Sequence, residues 1–240
     1  MAIFEHTFDF SIRDINAKTE LTNKAMLGFF EDIGGYQSDI AGYGLKDIET
    51  TKLSWVLLHW KIKVLKRMKY GDSIHIQTWS RGSKRACCYR DYEIYNQHNQ
   101  LCAIATSKWA LIHLEKGLMR LTDELVEKYQ TEPKQVFSSF DFEKIKEPET
   151  SQLTFEYQVQ RRDIDINQHM HNLCYLDLAY EALPNEVYET TSFDNIEIMY
   201  KSGAFLGDTL SCFYSKQEDK HIITIKSQDN TTLHAIVILS

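Results

Sequence analysis

No run of apolar residues in this 240-residue chain approaches the ~20 that a membrane-spanning helix needs. The longest are short and interrupted by charge, as in Trp55-Val56-Leu57-Leu58-His59-Trp60-Lys61, so no span is expected. The first residues, Met1-Ala2-Ile3-Phe4-Glu5-His6, lack the basic and apolar regions of a secretory signal, and a cytoplasmic protein is expected. An excess of base is missing too. The 27 Lys and Arg stand against 34 Asp and Glu, a net charge of -7, which argues against nucleic-acid binding through a broad basic surface. Cysteine is scarce and unpatterned: Cys87, Cys88, Cys102, Cys174 and Cys212 are odd in number, with one adjacent pair and no metal-type spacing. That points to reduced, mostly buried thiols. None has a basic residue arranged around it that would make it a nucleophile.

What is present is ample apolar material, 43% of residues with 12% aromatics, enough for one large core or two modest ones. Ile3 to Ile12 reads as a strand. A helix follows, capped near Thr22 or Asn23, carrying Met26, Phe29, Phe30, Ile33 and Ile40 at helical spacing and ending at Gly42-Tyr43-Gly44. Gly34-Gly35 within it suggests close backbone approach or a bend. Strands are expected over Ser54 to Leu65, Ser73 to Ser80, Ala86 to Tyr95 and Leu101 to His113, with Arg81-Gly82-Ser83 as a break, then a short helix over Thr122 to Gln130.

The order then repeats. Leu153 to Gln160 is strand-like, Gln168 to Leu183 is helical with Leu173, Leu176, Tyr180 and Leu183 on one stripe, and Pro184 stops it. Four strand candidates follow, Asn195 to Tyr200, Thr209 to Tyr214, His221 to Ile225 and Leu233 to Leu239. Tyr70-Gly71-Asp72-Ser73 echoes Leu206-Gly207-Asp208-Thr209, and Arg13-Asp14-Ile15 echoes Arg162-Asp163-Ile164, each pair at matching places in the two halves. The expected fold is α+β, two halves each with an antiparallel sheet wrapped around one long helix. The boundaries read 1–132, a charged linker at 133–150, and 151–240. One α+β domain with both helices on a single sheet is the alternative the echoes disfavour.

The chemistry concentrates in Arg161-Arg162-Asp163-Ile164-Asp165-Ile166-Asn167-Gln168-His169-Met170-His171-Asn172. If the approach to the second helix is extended, Asp163, Asp165, Asn167 and His169 face one side. Helix N-terminal N–H groups could then hold a developing oxyanion while an imidazole or carboxylate activates water. Simple helix capping is the bland alternative. A metal at His169 and His171 is disfavoured, because residues two apart diverge on a helix.

Asp165-Ile166-Asn167-Gln168-His169-Met170-His171-Asn172 resembles the Asp-x-Asn-Gln-His-Val-Asn-Asn signature of the acyl-acyl carrier protein thioesterases. Leu21-Thr22-Asn23, Tyr70-Gly71-Asp72 and Ala105-Thr106-Ser107-Lys108-Trp109 resemble the same family, so the likeness covers nearly the whole chain. It implies a tandem hot-dog fold and hydrolysis of fatty acyl-carrier thioesters with no cofactor and no metal. It assigns Asp165 to orienting and polarising the site, Asn167 to positioning substrate or water, and His169 to water activation. The family's further Glu, expected three residues after a Tyr, falls on Gly203 in Tyr200-Lys201-Ser202-Gly203, so either another carboxylate, Asp163 or Glu197, fills in or activity is reduced. Restoring the acid by Gly203→Glu is then expected to raise kcat unless the backbone demands glycine.

In the first half, Arg13 to Lys18 offers no His and no second carboxylate at matching spacing. That half is expected to bind the acyl chain, with Met26, Phe29, Phe30, Ile33, Trp55 and Leu58 lining a tunnel. The implied partner is acyl carrier protein, which is acidic, so a local basic face is needed. Candidates are Lys61, Lys63, Lys66, Arg67, Lys69, Arg81, Lys84 and Arg85, with Lys84 and Arg85 foremost. A homodimer is left open. An acyl-CoA thioesterase and a weakly active or non-catalytic acyl-binding protein are the competing readings.

Overall fold

The computed structural model describes residues Ala2–Ser240. Two compact units emerge, one from residues up to Leu58 with Ile62–Asp141, the other from His59–Lys61 with Phe142–Ser240.

The first unit contains β1 (Ile3–Asp9), α1 (Asn23–Ala41), α2 (Ile48–Thr51), β2 (Leu53–Val64), β3 (Ser73–Lys84), β4 (Cys87–Asn96), β5 (Leu101–His113), β6 (Gly117–Leu118) and α3 (Asp123–Lys128). Its strands run β1-β3-β4-β5-β2, with β6 added to β5. The β1–β3, β3–β4 and β4–β5 pairs are antiparallel. Helix α1 starts where the sequence places it, because the Thr22 side chain accepts the Ala25 N–H at 3.1 Å. It ends at Gly42, whose φ of 81° suits a residue without a Cβ. Met26, Leu27, Phe30 and Ile33 are fully buried on its inner face. Each such side chain contributes on the order of 1.5–3 kcal/mol relative to exposure. Neither glycine of the pair is required by close approach: a Cβ on Gly34 would lie 3.4 Å from the Tyr92 hydroxyl, an ordinary contact, and one on Gly35 would meet nothing within 4 Å.

Arg81-Gly82-Ser83 does not break the sheet. β3 runs on to Lys84 through a bulge between Ser80 and Gly82, with Gly82 at φ 100°, and the hairpin turn falls at Arg85-Ala86. A glycine inside a strand marked a bulge here rather than a turn.

The second unit contains β7 (Gln152–Gln158), α4 (Asn172–Glu181), α5 (Asn185–Thr190), β8 (Asn195–Tyr200), β9 (Thr209–Gln217), β10 (Lys220–Ser227) and β11 (Leu233–Leu239). Its order, β7-β9-β10-β11-β8, repeats the first unit strand for strand. Helix α4 packs on β7, β10 and β11 through Tyr175, Leu176, Leu178 and Ala179. The structure thus has the α+β, duplicated form, a helix on an antiparallel sheet in each unit.

Residues 133–150 hold no helix or strand. Within the first unit the Trp79 indole donates to the Lys134 carbonyl at 2.8 Å, and Asp91 accepts the Val136 N–H at 2.9 Å. Within the second, Ile145 packs on Met199, Ile222 and Ile236. Among the described residues, no helix is long and apolar enough to cross a membrane.

Candidate active site

The segment between β7 and α4 is shaped by its own side chains. A 3-10 turn at Arg161–Asp163 opens it, closed by Asp163 Oδ2, which accepts the Gln160 N–H and the Tyr157 hydroxyl, each at 2.7 Å. A bridge between Ile164 and Met170 then pinches the chain: the Asp165 N–H donates to the His169 carbonyl at 2.8 Å, and the His171 N–H to the Asp163 carbonyl at 2.7 Å. Inside the pinch, Asp165 Oδ1 accepts the N–H groups of Asn167 (2.8 Å) and His169 (3.2 Å), and Gln168 takes a φ of 62°. The expected extended approach, with alternate side chains on one face, is therefore absent. A short carboxylate beside backbone N–H groups offers the chain a tight turn instead.

Helix α4 begins four residues later than its sequence pattern suggests, at Asn172, with His171 as N-cap accepting the Leu173 N–H on Nδ1 at 3.2 Å. The Cys174 N–H is held by the His171 carbonyl at 2.9 Å. At this helix start the Asn172 N–H makes no hydrogen bond among the described residues. The Asn167 amide is exposed and also without a partner there, as is the second oxygen of Asp165.

His169 is half-buried, its ring tilted on Phe205 at 4.7 Å. Neither ring nitrogen has a hydrogen-bond partner among the described residues. Beneath the ring lies Gly203, where a Cβ would sit 2.5 Å from His169 Cδ2 and 3.3 Å from Nε2. The backbone does not demand this glycine, since its φ is not in the left-handed region. The imidazole does. The loop is fixed to the turn by the Met170 N–H, which donates to the Ala204 carbonyl at 2.8 Å, and by the Ala204 N–H, which donates to the Tyr175 hydroxyl at 3.2 Å.

Neither substitute carboxylate is idle. Asp163 is 8% exposed and closes its turn, and Glu197 on β8 contacts His59 Nε2 at 3.0 Å. The first unit clarifies which parts of this frame are architectural. There Asp14 Oδ2 accepts the Ser11 N–H at 2.6 Å, Ile15 bridges Leu21, Asn16 Oδ1 accepts the N–H groups of Lys18 (2.9 Å) and Glu20 (3.0 Å), and Thr19 has a φ of 62°. The turn-closing Asp and the oxygen at its second position thus occur in both units. In place of Asp165, Asn167, His169 and Gly203 the first unit has Asn16, Lys18, Glu20 and Arg67. Within Arg13 to Lys18 the Asp165 place is Asn16, so no second carboxylate stands at matching spacing there; Glu20, beyond that stretch, occupies the His169 position. Pairing Leu21-Thr22-Asn23 with Met170-His171-Asn172 would have revealed it.

The other singled-out residues separate. Met26, Phe30 and Ile33 are core, Phe29 packs on Phe8 of the edge strand at 5.1 Å, Trp55 donates to the Tyr129 hydroxyl at 3.0 Å, and Leu58 is half-buried. Lys84 is exposed, 3.6 Å from Asp141, and Arg85 is exposed at the hairpin tip. Arg81 is unavailable for docking, because it is buried against Asp91. All five thiols are free, and burial pushes Cys88 and Cys212 up to about 12.

A duplicated helix-on-sheet unit with a polar turn before the second helix defines the double hot-dog class. A model of the acyl-ACP thioesterase N-terminal domain matches residues 1–129, and one of the C-terminal domain matches residues 146–237. The chain belongs to the acyl-ACP thioesterase family. It is 22% identical over 205 residues to oleoyl-acyl carrier protein thioesterase 1, chloroplastic, of Arabidopsis thaliana, covering 78% of this chain and 57% of that protein. To the oleoyl-acyl carrier protein thioesterase of Coriandrum sativum it is 23% identical over 232 residues, covering 89% and 62%. The chain therefore spans roughly three-fifths of the length of these curated relatives. Among solved structures, an acyl-ACP thioesterase from Bacteroides thetaiotaomicron superposes with a TM-score of 0.87 at 19% identity, covering 99% of this chain and 97% of that one. The 12:0-ACP thioesterase from Umbellularia californica gives 0.87 at 15% identity, covering 100% and 97%. Both share the fold.

Proposed function

We propose that this protein hydrolyses the thioester joining a fatty acyl group to an acyl carrier protein, in the cytoplasm, with the chemistry on the Asp165–His169 turn of the second unit. The observation carrying this reading is the free imidazole of His169, seated on Gly203, on a turn whose counterpart in the first unit bears Glu20. His169 takes a proton from water as the oxygen attacks the thioester carbon. The exposed Asn167 amide and the Asn172 N–H are the donors for the oxyanion. The carbon–sulfur bond then breaks, and the proton passes to the departing thiolate, giving a free fatty acid and the carrier's thiol. Asp165 holds the turn with one oxygen and orients the water or the imidazole with the other. The apolar interior beneath α1, around Met26, Phe30 and Ile33 with Phe29, Trp55 and Leu58, is proposed to receive the acyl chain.

Carrier proteins loaded with acyl chains of graded length, with free fatty acid as readout, test the assignment. No release across the series would sink the enzyme reading and favour a non-catalytic acyl-binding protein. Matched acyl-CoA substrates separate the remaining alternative.

Gly203 yields a further prediction. Since a Cβ at this position overlaps the imidazole, Gly203→Glu is expected to lower kcat instead of raising it, and Gly203→Ala should do likewise. A displacement of this size at a reacting group costs on the order of 100-fold. Unchanged or faster turnover in folded Gly203→Ala would show that the ring works from another position.

A further inference from the structure

Three loop surfaces meet around His169: the turn at Arg161–Asp163, the turn at Asp165–His169, and the loop Lys201–Asp208. Three large apolar side chains stand exposed on them, Ile166 (65%), Phe205 (53%) and Leu206 (55%). None serves a core. Arg161, Arg162 and Lys201 are exposed on the same loops, and Arg162 has 80% of its side chain in solvent. Of the acids here Asp163 is buried and Asp165 half-buried, with Asp163 Oδ2 accepting the Gln160 N–H and Asp165 Oδ1 the N–H groups of Asn167 and His169, while Asp208 is exposed, its Oδ2 accepting the Phe205 N–H at 2.8 Å. Asp163 Oδ1 faces Arg162 at 3.8 Å, a contact too exposed to neutralise it firmly. Three exposed cations thus stand against one exposed acid, Asp208, and the balance of exposed charge on these loops is positive.

The frame, with its bridge and its Asp-closed turn, is the same in both units. At the places of Arg161, Arg162, Ile166, Lys201, Phe205 and Leu206 the first unit carries Ile12, Arg13, Ala17, Leu65, Lys69 and Tyr70, so it keeps a cation at the Arg162 place and a large apolar side chain at the Leu206 place while the other four differ. An apolar cluster ringed by cations, beside the reactive imidazole, matches an acidic protein surface that carries apolar side chains of its own.

We propose that the acidic acyl carrier protein docks on this surface, with Arg161, Arg162 and Lys201 meeting its carboxylates and Ile166 and Leu206 making the apolar contact. This rests on the thioesterase reading above. It places docking in the second unit, in contrast to Lys84 and Arg85, of which Lys84 already faces Asp141. An interaction steered by charge is read in KM and in salt dependence more than in kcat.

The test uses the full chain and one acyl group presented two ways, on the carrier protein and on N-acetylcysteamine, which is uncharged. Arg161→Glu/Arg162→Glu, and separately Lys201→Glu, should raise KM for the carrier substrate by about tenfold and flatten its rise with salt. Turnover of the N-acetylcysteamine thioester should stay within about twofold, which also shows that the variants are folded. Leu206→Ser should raise the carrier KM without altering its salt dependence. An unchanged carrier KM in both charge variants, equal losses on both substrates, or a rise confined to Lys84→Glu/Arg85→Glu would overturn the proposal. Calorimetric titration with the carrier protein separates this from the catalytic reading. Binding that the Arg161→Glu/Arg162→Glu change abolishes supports the docking surface even without turnover, and no binding to the wild type overturns it.

Discussion

His169→Ala is expected to lower kcat for acyl-carrier hydrolysis by ~100-fold or more while the protein stays folded, as the loss of a general base does. The ring contributes little to the core: it is half-buried, touches Phe205 at 4.7 Å and covers Gly203. Thermal melting should therefore move by only a few degrees. Asp165 needs a finer substitution, because Asp165→Ala unties the N–H groups of Asn167 and His169 and confounds positioning with chemistry. Asp165→Asn keeps that acceptor, as Asn16 does in the first unit by taking the N–H groups of Lys18 and Glu20. A large loss in Asp165→Asn with unchanged melting assigns the second oxygen's charge to the reaction. Near-normal turnover in folded His169→Ala would remove the site from the second unit's turn.

The parts of this fold legible in the sequence are those with local causes. Thr22 and Gly42 bound α1 because a hydroxyl and a missing Cβ act on their immediate neighbours. The duplication was legible from Gly-Asp turns: Gly71 and Gly207 both have positive φ, and Asp72 and Asp208 both accept the N–H three residues earlier. The strand order, with the second strand of each unit at the far edge beside the fifth, was not legible, since pairing between distant strands leaves no local mark.

The site divides in the same way. Asp165, Asn167 and His169 were visible as a pattern, but the pattern does not say whether the chain runs extended or closes on itself. The Asp165 carboxylate decides that by capturing two N–H groups. Gly203 read as a missing acid. Only its place under the imidazole shows the steric reason for a glycine. Arg81 read as a surface cation beside a turn, because nothing local indicates that residues 132–141 cover it.

That covered cation underlies the largest stability effect expected here. Arg81→Met should destabilise the protein by about 3–5 kcal/mol, the usual consequence of leaving a buried charge without its partner. The Arg81 and Asp91 side chains are 1% and 0% exposed, with Nε 3.3 Å from Oδ1, an ion pair without hydrogen-bond alignment. The guanidinium also donates to the carbonyls of Ser139 (3.3 Å) and Phe140, and lies over the rings of Tyr89 and Phe140. Burial pushes the Asp91 carboxyl above its ordinary value, and Arg81 is the main group holding it down. Without Arg81 it rises further, so the folded variant holds a proton that the unfolded chain releases at about 4. Stability is then greatest below that unfolded value and falls as pH rises through the folded one. The deficit relative to wild type should be larger at pH 8 than at pH 5, measured by urea melts at both. Arg90→Met is the comparison, because that buried guanidinium bonds Gln37 and Thr78, lies over the Tyr129 ring, and has no carboxylate within ion-pair distance among the described residues. No charge is orphaned by its loss. Arg81→Met combined with Asp91→Leu should recover part of the stability, since an apolar pair replaces the buried ions. Equal losses in the Arg81 and Arg90 variants, or a deficit that ignores pH, would show that Arg81 acts only through packing and its bonds to the covering segment.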